Sequence, residues 1–242
     1  MIEVRKIFHS GFLVETDQVY MLFDWYTGQL PEMRADKPLF VFVSHSHGDH
    51  YSRKIFYLPA EYFILSNDID VSAGAFPKGK GRWCSKGVSD RKAAEWNIEE
   101  RIIPMGPHEK RSIQIPNESM NIETMSSNDL GVAFAVELSG AGENVRIYHA
   151  GDLNNWWWDG DAEDRQLEEH YHRELERIKG RHFDVAMIPY DLRLKEPGYG
   201  VRDFLRYCSA DRIYGMHLNA GECEAKQRLE KDPALDGVHV IL

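Results

Sequence analysis

Six residues, His45-Ser46-His47-Gly48-Asp49-His50, constrain this chain more than any other stretch. They place three imidazoles and a carboxylate directly behind the apolar run Pro38-Leu39-Phe40-Val41-Phe42-Val43. A short apolar run of this kind reads as a buried strand, so the cluster falls at a strand end. Alternate side chains of an extended segment share a face, which lets His45 and His47 point at one cation. Gly48 allows a sharp turn that would send Asp49 and His50 toward a second. Imidazole nitrogens joined by a carboxylate are the donors a zinc-type ion takes, and a merely solvated loop has no reason to collect them.

The remaining bounds are broad. At 242 residues with 43% apolar content, the chain can build one large α/β domain or two small ones. No Pro/Gly linker interrupts it, so a single domain over residues 1–242 is expected. A formal charge of −10 argues against a broad nucleic-acid or anionic-membrane surface. No basic start is followed by an apolar leader, and no stretch approaches the roughly 18 apolar residues of a membrane span, so a cytoplasmic protein is expected. Cys84, Cys208 and Cys223 are far apart and lack C-x-x-C spacing, which makes free thiols the default. The expected partner is a small-molecule substrate, with no membrane or nucleic acid, and homo-oligomerisation is left open.

Strand patterns run through the first part and the middle of the chain: Ile2–Phe8, Phe12–Glu15, Val19–Phe23 and Leu39–Val43, then Tyr62–Leu65, Arg101–Met105, Ser112–Ile115, Asn121–Met125, Val132–Leu138 and Val145–His149. Ser139–Asn144 reads as the turn between the last two. A helix is expected from about Ala162 to Lys179, where Leu167, Tyr171, Leu175 and Ile178 form a stripe and Gly180 a stop. His170 and His172 ride on it as solvated or capping residues. Alternation then gives strand Phe183–Ile188, helix Val201–Cys208, strand Arg212–Met216, helix Glu222–Glu230 and strand Val238–Leu242. Long sheets followed by alternating elements suggest two stacked sheets with helices outside. Residues 72–89, glycine-rich and basic, read as a solvated loop.

Two later segments add ligands at strand ends: Asp152 in Tyr148-His149-Ala150-Gly151-Asp152, and His217 in Ile213-Tyr214-Gly215-Met216-His217. With these the chain resembles the metallo-β-lactamase superfamily across nearly its whole length. The 45–50 cluster is similar to that family's HxHxDH element. The resemblance implies an αββα sandwich of two mixed sheets with helices on the outer faces. It also implies Asp152 as a carboxylate bridging two metals, His217 as a ligand of the second metal, and Asp24 as a buried aspartate that supports the ligand loop without ligating. The opening Phe8-His9-Ser10-Gly11-Phe12-Leu13-Val14-Glu15 is most similar to the branch that includes L-ascorbate-6-phosphate lactonase. The implied activity is metal-dependent hydrolysis with one or two divalent ions, zinc first and manganese or iron as alternatives.

One departure stands out. The loop Thr124-Met125-Ser126-Ser127-Asn128-Asp129-Leu130 has no histidine where the family offers a third ligand to the first metal. The first site then has His45, His47, the shared Asp152 and either Asp129 or water, whereas the second keeps Asp49, His50, Asp152 and His217. Asp129 is equally a turn residue. His108 reads as a loop residue, His149 as core or a support for the ligands, and His9 as a strand-terminal hydrogen bonder. Asn154-Asn155-Trp156-Trp157-Trp158 follows the bridging aspartate closely. One tryptophan is expected near the cleft, with Trp156 a substrate wall or a core anchor, one inside and one partly exposed. Tyr190, at another strand end, either binds substrate or closes the strand. Arg193, Lys195, Gly198 and Gly200 extend that loop toward an anionic substrate.

For chemistry, Asp49 is the residue expected to bind metal and orient the attacking water. No Gly-x-Ser-x-Gly elbow or phosphate-cradling loop supports a serine-hydrolase or P-loop reading. The alternatives are a phosphodiesterase or nuclease, and a metal-binding protein with impaired turnover.

Overall fold

The computed structural model describes residues 1–72, 76, 97–116, 118–140, 144–218 and 221–242. The basic loop read over residues 72–89, apart from Ser72 and Phe76, lies outside these, as do Cys84 and turn residues 141–143. The chain divides into two compact units, Met1–Met105 and Gly106–Leu242.

The first unit holds a six-stranded mixed sheet in the order β1 (Glu3–Phe8), β2 (Gly11–Glu15), β3 (Tyr20–Phe23), β4 (Leu39–Val43), β5 (Tyr62–Ser66), β6 (Ile102–Met105). The first two pairings are antiparallel and the next three parallel. β4 is apolar without alternation and buried at every position, as a central strand covered on both faces must be. One face carries Leu39, Val41 and Val43 in a cluster with Leu13, Leu22, Phe63 and the short 3₁₀ turn residues Ile55 and Phe56. On the alternate positions Phe42 stacks on Phe23, centroids 4.7 Å apart at 19°.

The second unit holds a seven-stranded mixed sheet. Its strands are β7 (Lys110–Ile115), β8 (Glu118–Ser126), β9 (Val132–Gly140), β10 (Val145–His149), β11 (His182–Pro189), β12 (Ser209–Met216) and β13 (Val240–Ile241), in reverse spatial order. Pairings from β7 to β10 are antiparallel, and those from β10 to β13 parallel. Three helices accompany it: α1 (Ala162–Glu176), α2 (Tyr199–Tyr207) and α3 (Glu222–Leu229). Asp161 caps α1 by accepting from the Glu163 and Asp164 amides. Gly180, at φ +77, closes the turn after it, as its expected stop role requires. Two mixed sheets with few helices are the fold class expected from the sequence. Gly198 and Gly200 are not loop residues: they cap and open α2, where a Cβ on Gly200 would stand 1.6 Å from Asn154 Oδ1. Among the described residues no helix is long and apolar enough to cross a membrane.

Truncating Phe42 to alanine removes a fully buried ring from the middle of β4. It is expected to cost about 3–5 kcal/mol, read as a lower urea midpoint for the first unit.

Candidate metal centre

The ligand-bearing loops leave the carboxyl ends of parallel strands, the edge where open α/β sheets collect their ligands. β3 and β4 pair in register with Phe23 opposite Phe42, so Asp24 and Ser44 emerge side by side. Asp24 is fully buried and sits at φ +43, a left-handed conformation that aspartate tolerates better than most residues. Its Oδ1 accepts from the Ser44 amide at 2.7 Å, and its Oδ2 accepts from Ser44 Oγ at 2.6 Å and from His50 Nδ1 at 2.7 Å.

These bonds fix the tautomers of two histidines. A carboxylate only accepts, so His50 Nδ1 carries its proton toward Asp24 and the lone pair lies on Nε2. The one hydroxyl proton of Ser44 goes to Asp24. His45 Nδ1, 2.9 Å from Ser44 Oγ, must then donate, and its lone pair likewise lies on Nε2. Both rings are fully buried, with centroids 4.1 Å apart.

His47 is exposed, its ring 4.8 Å from that of His45 and edge-on to it. Asp49 is also exposed. Its carbonyl accepts from Ser10 Oγ at 2.6 Å, and its carboxylate lies 3.5 Å from His9 Nε2. One ligand atom from each of His45, Asp49 and His50 fits within a 4.8 Å group. The turn is built by His50 and Tyr51 amides bonding the His47 carbonyl, at 3.0 and 2.8 Å. Gly48 has no positive φ there, and a Cβ on it would meet nothing within 4 Å. The turn therefore does not depend on glycine, contrary to expectation.

In the second unit β10, β11 and β12 end side by side, delivering Asp152, Asp191 and His217. His217 Nε2 lies 3.1 Å from Asp152 Oδ1, and its Nδ1 lies 3.6 Å from Asp191 Oδ2. Its backbone is held at φ +63. Burial would raise the Asp191 carboxyl, but His217 and Arg193 outweigh it and hold the group well below the usual carboxylate range. Arg193, expected to meet an anionic substrate, instead grips Asp191 through Nε and Nη2 and lies over Trp158 at 5.6 Å.

Trp156 is buried. Its Nε1 donates to the Asp152 carbonyl at 2.8 Å and its ring stacks on His217 at 5.8 Å. Trp158 stacks on Trp156 at 5.9 Å and 4° and is exposed, while Trp157 is half-buried. Tyr190 is 1% exposed, and burial pushes its hydroxyl up to about 12. Its charged surroundings include Asp232, Arg202, Arg228 and Glu196. His149 is fully buried, with Nδ1 accepting from the Gly151 amide at 3.1 Å. His108 pairs with Glu174 at 2.9 Å, and His170 reaches the Ser126 carbonyl. Asp129 is exposed in a turn where its amide approaches Ser127 Oγ at 3.5 Å. Its neighbour Asn128 does structural work, accepting from the Asn154 amide at 2.7 Å and donating to the Leu167 carbonyl at 3.0 Å.

Sequence reasoning passed over Asp191, although Ile188-Pro189-Tyr190-Asp191 repeats the strand-then-carboxylate pattern that singled out Asp152. It also missed Asp68, which accepts from the Ser46 amide at 2.9 Å, and Asp164. Asp164 Oδ2 takes the amides of Trp158, Asp159 and Gly160 at 2.6–3.0 Å. Neither Asp68 nor Asp164 lies in a recognisable motif.

No family model matches the chain, and no curated protein does. Solved structures do match. A protein of Parabacteroides distasonis designated a metal-dependent hydrolase is 15% identical over 99% of this chain and 91% of its own, with a TM-score of 0.56. Igni18, a metallo hydrolase from the archaeon Ignicoccus hospitalis, is 20% identical over 100% and 94%, also at 0.56. MEM-A1, a subclass B3 metallo-β-lactamase from a soil metagenome library, is 12% identical over 97% of each chain, at 0.41. With the first two of these the chain shares its fold, here two mixed sheets with few helices.

Asp24→Ala is expected to leave His50 and Ser44 without their acceptor and to weaken zinc binding about 10- to 100-fold by calorimetry. Gly48→Ala is expected to change zinc affinity and melting temperature little. Asp164 has its carboxyl lowered: burial raises it, but the backbone amides of Gly160, Asp159 and Trp158 that bond it prevail. Its stabilisation of the tryptophan segment is therefore present above the unfolded aspartate pKa and lost as pH falls through the lower folded value. Acid titration of tryptophan fluorescence should show a transition below pH ~3.9 that is absent in Asp164→Ala.

Proposed function

We propose that the chain is a metal-dependent hydrolase that uses a metal-activated water on a small cytoplasmic metabolite, a lactone, ester or phosphoester. The observation that carries this reading is the Asp24–Ser44 pair, which sets both His45 and His50 to present Nε2 lone pairs. A buried carboxylate dedicated to orienting two imidazoles is what a metal site requires and what a structural core does not. The proposed ligands are His45, His47, Asp49, His50, Asp152 and His217, for one or two divalent ions. Zinc fits the imidazole-rich set best, with manganese or iron as alternatives.

Divalent ions supply a lowered water pKa, from 15.7 to about 7, and polarisation of an acyl or phosphoryl oxygen. Asp49, pinned through its carbonyl by Ser10 and exposed at its carboxylate, is the group assigned to orient the water and accept its proton. Trp156, stacked on His217, is assigned to the substrate wall with Trp158 beside it. The likeness of Phe8–Glu15 to the L-ascorbate-6-phosphate lactonase branch favours a lactone or phosphorylated metabolite. A second reading, a metal-binding protein with impaired turnover, is favoured by the 124–130 loop, which has no histidine. The −10 charge sets a nuclease below both.

His50→Ala and His217→Ala are expected to lose more metal than His45→Ala, because their site keeps its full ligand set. Elemental analysis of the purified protein should give between one and two ions per chain, and Asp129→Ala should lower that figure if this carboxylate replaces the absent histidine. Asp152→Ala should be the most damaging single carboxylate change to metal content. Asp49→Asn should keep metal and lose about 10²–10⁴-fold in rate, assayed on lactones, thioesters and phosphoesters. A metal-replete protein inert across that panel would instead establish the impaired binder.

A further inference from the structure

Helices α1 and α2 carry a second gathering of donors. Glu168 and His172 stand four residues apart on α1 and so share a face, and Asp203 comes from α2. One ligand atom from each lies within a 4.8 Å group. His172, read from sequence as solvated, places Nε2 3.0 Å from Asp203 Oδ2. Asp203 is 3% exposed, and its other oxygen accepts from Arg206 Nη1 at 2.7 Å.

Two carboxylates and a histidine on helix surfaces would ordinarily be an ion-paired face. Asn155 changes that. Its side chain is 2% exposed and aimed into the cluster, with Nδ2 donating to Asp203 Oδ2 at 2.7 Å and to Glu168 Oε1 at 3.4 Å. Its Oδ1 has no hydrogen-bond partner among the described residues. A half-turn about the terminal torsion exchanges the two ends of a carboxamide. It would bring Oδ1 to face the two carboxylates, a repulsive arrangement unless a cation stands among the oxygens.

We propose that Glu168, His172, Asp203 and the Asn155 carboxamide oxygen bind a divalent transition-metal ion, such as Zn²⁺ or Mn²⁺, at a site of their own. One imidazole and three oxygens suit these ions, and four donors complete a tetrahedral shell. Donors around an ion at ~2.1 Å lie about 3.4 Å apart, so the group must contract modestly, and half-buried Glu168 and His172 have the freedom to do so. Arg206 remains on the outer oxygen of Asp203 and orients it. Asn155 lies between Asp152 and Trp156 in sequence, so the ion would tie the Asn154–Trp158 segment to α1 and α2 and steady the Trp156 ring on His217.

The test uses a protein in which His45, His47, His50 and His217 are all replaced by alanine, stripped with chelator and titrated with Zn²⁺ and then Mn²⁺ by calorimetry, with tryptophan fluorescence followed in parallel. One ion per chain is expected, with a fluorescence change. Adding Glu168→Gln or His172→Ala should weaken that binding at least about 10-fold with the far-ultraviolet circular dichroism unchanged. Should His172→Ala unfold, Glu168→Gln carries the comparison. No ion bound by the parent variant, or affinity unmoved by these changes, overturns the site. Turnover is not needed for this readout, so loss of the hydrolase reading leaves it intact, and its own loss leaves the hydrolase reading intact.

Discussion

A single buried carboxylate, Asp24, sets the conditions for the first unit's ligand loop. It accepts three hydrogen bonds, two of them from the serine that opens the loop and one from the histidine that closes it. Burying a charge is costly unless its oxygens are fully engaged, and here the charge-assisted bonds serve both to offset that cost and to orient two imidazoles. Asparagine could replace only half of this. Its amide end would present protons to Ser44 Oγ and His50 Nδ1, which would reverse the proton direction that leaves the lone pairs on Nε2.

The strained backbone follows the same positions. Four non-glycine residues among those described have positive φ, and three of them are His9, Asp24 and His217. Each such conformation costs on the order of 1–3 kcal/mol and persists only where its surroundings over-determine it. For Asp24 the determinants are Ser44 and His50. For His217 they are Asp152 on one ring nitrogen, Asp191 on the other and Trp156 on the ring face. Positive φ at Asp24, which supports the ligand loop, and at the candidate ligand His217 is the pattern of a site whose geometry is held in advance of binding.

Much of this was legible in the sequence because strand ends are. Leu39–Val43 and Val145–His149 have the bounds that apolar runs and flanking turn residues suggest, and the ligand types stand immediately behind them. Asp24 was legible only through resemblance, since nothing local distinguishes a buried aspartate from a turn aspartate. What composition and spacing could not give were partners distant in sequence: Arg193 reads as an exposed cation until Asp191 is seen beside it, and His172 reads as solvated until α2 brings Asp203 to it. Gly48 misled for a different reason, because glycine in a turn suggests a left-handed backbone whether or not the turn uses one.

The segment after Asp152 shows how a loop with little regular structure can still present a side chain firmly. Its backbone amide at Asn154 is taken by Asn128, its Asn155 carboxamide by Glu168 and Asp203, and its amides from Trp158 to Gly160 by Asp164. Three anchors from three different elements leave the intervening Trp156 few alternatives to its stack on His217. The loop at 124–130, which has no histidine to offer a metal, contributes one of those anchors through Asn128. Its role in the described structure is therefore to brace the chain beside Asp152, and any metal ligand it supplies would have to come from Asp129 without disturbing that brace.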